Sequence, residues 1–235
     1  MKSIKEGMLL YAVTDRSWLK GRTVAEQVEE ALKGGATFIQ LREKELDYDS
    51  FLAEAFAVKE LCKKYGVPFV INDNVDIAIA CGADGVHVGQ SDMETGDVRA
   101  RLGDNKIIGV SVHNVKEAVT AQEHGADYLG VGAVFSTSTK LDADTTSFGV
   151  VKDICDAVHI PVVAIGGINE NNILKLKGTG IDGVAVVSAV FAKDDIEAAA
   201  KNLLALSKEM TESKPEIKKV LSIAGTDPTG GAGQQ

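Results

Sequence analysis

Only three cysteines occur in 235 residues, Cys62, Cys81 and Cys155. They are odd in number, far apart and never in Cys-x-x-Cys spacing, which argues against a disulfide framework or a cysteine zinc site and fits a reducing compartment. Positive charge is also scarce: the formal net charge is -9, so there is no basic footprint for nucleic acid, and a small anionic ligand met by locally clustered Arg and Lys is the better expectation. No apolar run approaches the roughly 18 residues of a membrane span, and Met1-Lys2-Ser3-Ile4-Lys5-Glu6-Gly7 has no apolar signal-peptide core. A soluble, unexported, cytoplasmic protein that does not meet a membrane is therefore expected. Missing too is a Gly-x-Gly-x-x-Gly after the first apolar run, which weakens a dinucleotide-binding reading.

What the chain does have is one unit repeated eight times, a short β-branched apolar run followed by a helical pattern. The runs fall at 8–13, 38–41, 69–71, 85–88, 107–110, 128–131, 162–165 and 183–187. Between the first two, Thr23 and Glu26 have capping-box spacing while Val24, Val28, Ala31 and Leu32 share a face, and Gly34-Gly35 ends the pattern. Gly-Ala-Asp or a relative of it (Gly34-Gly35-Ala36-Thr37, Gly82-Ala83-Asp84, Gly125-Ala126-Asp127, Gly180-Ile181-Asp182) precedes four of the runs, as expected where a helix stops on glycine before the chain re-enters a sheet. Regular alternation leaves a doubly wound sheet or a closed barrel, and we take the α/β class with a (β/α)8 TIM barrel over 1–210, a fold of ~250 residues. Residues 211–219 are polar and carry a proline, reading as a linker, and 220–235 hold one further strand-like run and a glycine-rich turn.

In such a barrel, chemistry sits where strands end. Asp73 and Asp92 follow the third and fourth runs, one βα repeat apart. They suit Mg²⁺, which takes one or two carboxylates and leaves the rest of its shell to water and phosphate oxygens. Both are equally placed to be helix N-caps, and spacing does not decide between the two roles. Gln40-Leu41-Arg42-Glu43-Lys44 ends the second run with Gln40, Arg42 and Lys44 on one side and Leu41 and Glu43 on the other. Two cations aimed into a barrel mouth call for an anion; a solvated charge run is the alternative. Ser136-Thr137-Ser138-Thr139-Lys140 offers hydroxyls and an ammonium to a phosphorylated ligand, or is a plain polar connector. Gly166-Gly167-Ile168 after the seventh run and Val187-Ser188 after the eighth stand where these barrels bind phosphate, although a tight turn explains the glycines as well. His87, on an apolar run, reads as a satisfied core or rim histidine rather than a base, and His113, His124 and His159 show no spacing signal.

Over residues 8 to 210 the chain resembles the thiamin phosphate synthases, which carry Gln40-Leu41-Arg42-Glu43-Lys44, Asn72-Asp73, Gly89-Gln90-Ser91-Asp92, Gly109-Val110-Ser111, Ser136-Thr137-Ser138-Thr139-Lys140 and Gly166-Gly167-Ile168 in this order. The resemblance implies a transferase that joins hydroxymethylpyrimidine diphosphate to hydroxyethylthiazole phosphate, or its carboxylated form, giving thiamin phosphate and pyrophosphate. It implies that Gln40 addresses the pyrimidine, that Arg42, Lys44, Asn72 and Lys140 hold the diphosphate beside Mg²⁺ on Asp73 and Asp92, and that Leu41 and Glu43 belong to the same substrate-binding stretch. Ser111 is then near the reacting centre, with Arg42 and Lys140 as its catalytic companions, and Thr137, Ser138, Thr139, Gly167, Val187 and Ser188 bind the thiazole phosphate. Pyrophosphate leaves first in that mechanism, and the thiazole nitrogen captures the pyrimidinyl-methyl cation. Thiazole tautomerases share the fold but carry histidine where this chain has Ala133 in Gly132-Ala133-Val134-Phe135; a non-catalytic barrel that binds a phosphorylated ligand is the other alternative. The tail from Ser222 to Gly233 resembles the opening of hydroxymethylpyrimidine phosphate kinases, implying fusion to a pyrimidine kinase domain in a longer parent. Self-association is compatible with all of this.

Overall fold

The computed structural model describes residues 4–89, 95–135 and 146–212. Eight parallel strands close into a barrel in sequence order, β1-β2-β3-β4-β5-β6-β7-β8, which is the (β/α)8 architecture expected from the repeat. The first half of the barrel runs α1 (Ile4–Gly7), β1 (Leu10–Val13), a 3-10 turn (Arg16–Trp18), α2 (Val24–Lys33), β2 (Phe38–Leu41), α3 (Tyr48–Tyr65), β3 (Phe69–Asn72), α4 (Val75–Cys81), β4 (Gly85–Val88) and α5 (Thr95–Leu102). The second half runs β5 (Ile107–Val112), α6 (Val115–Glu123), β6 (Tyr128–Val131), α7 (Phe148–Ala157), β7 (Val162–Ile165), a 3-10 turn (Ile173–Leu176), β8 (Gly183–Val186), α8 (Ser188–Phe191) and α9 (Ile196–Thr211). None of the helices among the described residues is long and apolar enough to cross a membrane.

Strand residues alternate between two cores, because successive side chains leave opposite faces of a strand. Outward residues such as Leu10, Ala12, Ile39, Leu41, Ile71 and Val86 pack under the helices, and inward Tyr11, Val13, Phe38, Val70, Tyr128, Val163 and Ala185 fill the barrel. α2 starts with the expected capping box: Thr23 Oγ1 accepts from Glu26 N (3.2 Å) while Glu26 Oε2 accepts from Thr23 N (2.7 Å).

The expected alternation fails once. Between β7 and β8 there is only a 3-10 turn, because Asn169 Oδ1 accepts from Asn171 N, Asn172 Oδ1 accepts from Asn169 N, and Asn172 Nδ2 donates to Gly167 O. Asparagine side chains thus satisfy backbone groups that a helix would have paired.

The four Gly-Ala-Asp-like motifs do more than end helices. The last residue of each sits at the N-terminal rim and makes a reciprocal pair with the preceding strand. Thr37 N donates to Leu10 O and Thr37 Oγ1 accepts from Leu10 N, both at 2.8 Å. Asp84 repeats this with Phe69 (2.9 and 2.9 Å), Asp127 with Ile108 (2.8 and 2.8 Å) and Asp182 with Val162 (2.7 and 3.0 Å). The glycine ahead of each motif, Gly35, Gly82, Gly125 or Gly180, has positive φ between 66° and 96°, which only glycine adopts at little cost. The barrel is therefore stapled at every second strand boundary, at the end away from the strand C-termini. Asp182→Ala orphans the buried Val162 N–H and is expected to cost about 2 kcal/mol, or roughly 6 °C in Tm. Turnover per folded molecule, measured alongside thermal unfolding, should not change.

Candidate active site

The C-terminal strand ends surround a cavity of about 250 Å³. The alternation of β2 delivers Gln40, Arg42 and Lys44 to its wall. Leu41 and Glu43 are not brought there: Leu41 is fully buried in the outer core, and Glu43 turns away to accept from Arg16 Nε (2.7 Å) and from the N–H groups of Lys44 (2.8 Å) and Glu45 (2.9 Å). Burial alone would raise the Glu43 carboxyl, but those backbone donors and the Arg16 guanidinium outweigh it and hold the group below its ordinary value. Arg16 also binds Glu54 (2.8 Å), whose carboxyl burial pushes up. Glu43 thus ties the end of β2 to α3 instead of touching the cavity.

Two of the cavity cations are held by carboxylates. Arg42 donates to Asp15 (3.2 Å) and Lys44 to Asp73 (2.7 Å), and Asn72 Nδ2 donates to the other oxygen of Asp73 (2.8 Å). Asp73 has φ of 59°, a left-handed conformation costing ~1 kcal/mol for most residues and least for Asn and Asp. Its N–H donates to His87 O on β4 (2.8 Å), which keeps the backbone there. Helix capping is left to the next residue: Asn74 accepts from Ile77 N and caps α4. The Asp73 carboxylate is therefore not consumed as a cap and faces the cavity as an oxygen donor suited to a hard cation. Among the described residues no three His, Cys, Asp or Glu side chains gather to hold a metal. Asp92, Thr137, Ser138, Thr139 and Lys140 lie outside the described residues, as do 220–235.

Across the mouth, Ser111 on β5 lines the cavity and is 2.9 Å from His87 Nε2, while His87 Nδ1 is 2.9 Å from Tyr128 Oη. Both ring nitrogens are thus bonded, as expected of a rim histidine. At the remaining side Gly167, Val187 and Ser188 meet, with Ser188 opening α8. Gly166 allows the β7 turn to pass the β6 loop, since a Cβ there would fall 2.5 Å from Ala133 Cβ. Sequence reasoning missed Tyr11, Asp15 and His113, which also line the cavity. Asp15 offered one signal, a polar residue two positions beyond the first apolar run. Tyr11 and His113 offered none.

The match to known proteins covers this same unit. Residues 10–190 match the family model described as thiamine monophosphate synthase. The thiamine-phosphate synthase of Clostridium tetani is 50% identical over 194 residues, 83% of this chain and 93% of that protein. That of Ruminiclostridium cellulolyticum is 52% identical over 204 residues, 87% of this chain and 97% of that protein. A solved thiamine phosphate pyrophosphorylase from Pyrococcus furiosus superposes with a TM-score of 0.82 at 39% identity, covering 88% of this chain and 99% of that one. A 3-hexulose-6-phosphate synthase at 21% identity and a TM-score of 0.62 shares the fold. With a family model spanning most of the barrel and relatives near half identity over nearly their whole length, the chain belongs to the thiamine-phosphate synthase family.

Proposed function

We propose that the barrel mouth is where this chain carries out its family's reaction, the transfer of the hydroxymethylpyrimidine group from its diphosphate to hydroxyethylthiazole phosphate with release of pyrophosphate. The protein is an enzyme, a transferase of thiamin biosynthesis that joins the pyrimidine and thiazole moieties. The observation carrying the assignment of roles is the convergence of Arg42, Lys44, Asn72 and Asp73 on one wall of the cavity.

On this reading Gln40 faces the pyrimidine, and Arg42, Lys44, Asn72 and Lys140 hold the diphosphate. Arg42 and Lys44 exchange Asp15 and Asp73 for phosphate oxygens as the substrate enters; an anion carrying more charge than either carboxylate favours that exchange. Ser111 is placed across the cavity from them, near the scissile bond. Thr137, Ser138, Thr139, Gly167, Val187 and Ser188 take the thiazole phosphate, so the two substrates are held by opposite sides of one mouth. Asp73 fits Mg²⁺, with Asp92 as its partner ligand; bound there, the ion would neutralise charge on the diphosphate. A neutral thiazole nitrogen needs no base to attack a carbocation, which agrees with a mouth whose histidine at 87 has both nitrogens engaged. We place the reaction in the cytoplasm.

Incubation with both substrates separates this reading from its rivals. The transferase forms thiamin phosphate and pyrophosphate; a tautomerase would alter a thiazole phosphate without the pyrimidine; a ligand-binding barrel would return both substrates unchanged. Ala133 lines the cavity where tautomerases carry histidine, and it has no proton to move.

We also propose that residues 212–235 are the stub of a second, kinase-like unit and contribute nothing to the barrel, which is closed by β8 against β1 and covered by α9 up to Thr211. Deleting 212–235 is expected to leave turnover and Tm nearly unchanged, and the undeleted chain is expected not to phosphorylate hydroxymethylpyrimidine phosphate with ATP. A large fall in either quantity would make the segment part of the working fold.

A further inference from the structure

A line of hydrogen bonds crosses the barrel interior from β2 to β5. Gln40 Nε2 donates to Tyr11 Oη at 2.5 Å, Tyr11 Oη is 2.7 Å from Tyr128 Oη, Tyr128 Oη is 2.9 Å from His87 Nδ1, and His87 Nε2 is 2.9 Å from Ser111 Oγ. Gln40, Tyr11, His87 and Ser111 reach the cavity wall, and Tyr128 lies wholly in the barrel core.

The direction of this line follows from counting protons. With its amide nitrogen turned toward Tyr11, Gln40 can only donate there, so Tyr11 Oη accepts from Gln40 and gives its single proton to Tyr128 Oη. Tyr128 in turn gives its proton to His87 Nδ1. An imidazole that accepts at Nδ1 carries its proton on Nε2 when neutral, and donates it to Ser111 Oγ. Burial raises both phenols far above their ordinary value, so neither loses the proton on which the direction depends.

The barrel is shaped around this line. A Cβ on Gly109 of β5 would lie 2.3 Å from Tyr128 Oη, and one on Gly130 of β6 would lie 3.2 Å from His87 Cε1. Phe38 supports both phenol rings edge-on, with centroids 4.7 Å from Tyr11 and 5.6 Å from Tyr128.

We infer that Tyr11 and Tyr128 are positioning residues that carry the donor polarity of the Gln40 amide across the barrel, hold His87 as its Nε2–H tautomer and so make Ser111 a hydrogen-bond donor toward the substrate. The consequence for chemistry rests on the proposed placement of the diphosphate at this mouth: beside a leaving group gaining negative charge, a hydroxyl that presents its proton stabilises, and one that presents lone pairs does not. It also links the two halves of the pyrimidine substrate, since the residue facing the ring sets the polarity of the residue facing the leaving group.

The test is the tautomer of His87, read by long-range ¹H–¹⁵N correlation of ring-labelled histidine in the whole protein, with the four histidines distinguished by a His87→Gln variant. The unsubstituted protein is expected to show the Nε2–H form, and an Nδ1–H form overturns the inference. Tyr128→Phe cuts the line and is expected to release His87 into a mixture of tautomers while lowering kcat roughly 10-fold, with KM for both substrates within about twofold. A fall in kcat with the tautomer unchanged would mean that Tyr128 only packs. Gln40→Glu, once its carboxylate is seen to be ionised by the ¹³Cδ shift, can only accept; it should reverse the line and give Nδ1–H, and an unchanged Nε2–H form beside that carboxylate overturns the inference even if Tyr128→Phe does not fold. Because the tautomer is read without turnover, a protein lacking transferase activity but showing Nε2–H would reject the functional reading and keep the relay.

Discussion

Asp73→Asn is expected to lower turnover by about 100-fold or more, equivalent to roughly 2.7 kcal/mol in the barrier, and to raise the Mg²⁺ concentration needed for half-maximal rate. The substitution removes an anionic oxygen that the proposed reading gives to the metal. It gives up the ion pair with the half-exposed Lys44 but keeps the local backbone: Asn74, not Asp73, caps α4, and asparagine tolerates the left-handed backbone at φ 59° about as well as aspartate. Tm should therefore stay within roughly 2 °C of the parent, so that loss of rate is not loss of fold. Asp92→Asn should behave the same way. A normal rate and Mg²⁺ titration in both variants would return the two residues to a purely structural role.

Lys140→Met is expected to reduce kcat by about 100-fold, some 3 kcal/mol, with a much smaller change in KM. Negative charge grows on pyrophosphate only as the bond breaks, so an ammonium that pairs with it acts mainly in the transition state. Lys140 lies outside the described residues; among those that flank it, Ala133 lines the cavity and Thr146 N donates to Ala133 O at 2.7 Å. An effect confined to KM would make Lys140 a binding residue alone.

The barrel was legible in the sequence because each strand is buried on both faces, so its residues read as short apolar runs, and because nearly every run breaks into small or polar residues where the fold exposes strand C-termini. Four strands (β2, β4, β6 and β7) coincide with the expected runs and the other four differ from them by one or two residues at an end. The β7–β8 connection was not legible as a 3-10 turn, since Asn169 and Asn172 act through side-chain bonds that periodicity does not register. Part of the site was legible from a period of two, which separated Gln40, Arg42 and Lys44 from Leu41 and Glu43; the family motif then included those two in the binding stretch, and their side chains point elsewhere. The rim staples were visible as a repeated Gly-Ala-Asp, but their use of the side chain to bind a neighbouring strand depends on the closed register. The interior line from Gln40 to Ser111 was illegible. Tyr11 and Tyr128 look like ordinary core residues, and nothing local reveals that residues 117 positions apart share a hydrogen bond.

Release of pyrophosphate at this mouth, as the two rings are joined, is the proposed chemistry. Its most direct test is a time course with hydroxymethylpyrimidine diphosphate and hydroxyethylthiazole phosphate, quantifying thiamin phosphate and pyrophosphate with Mg²⁺ and with EDTA. Equal amounts of the two products, formed with Mg²⁺ and not with EDTA, are predicted. No thiamin phosphate with Mg²⁺ present, or the same rate in EDTA, would contradict it.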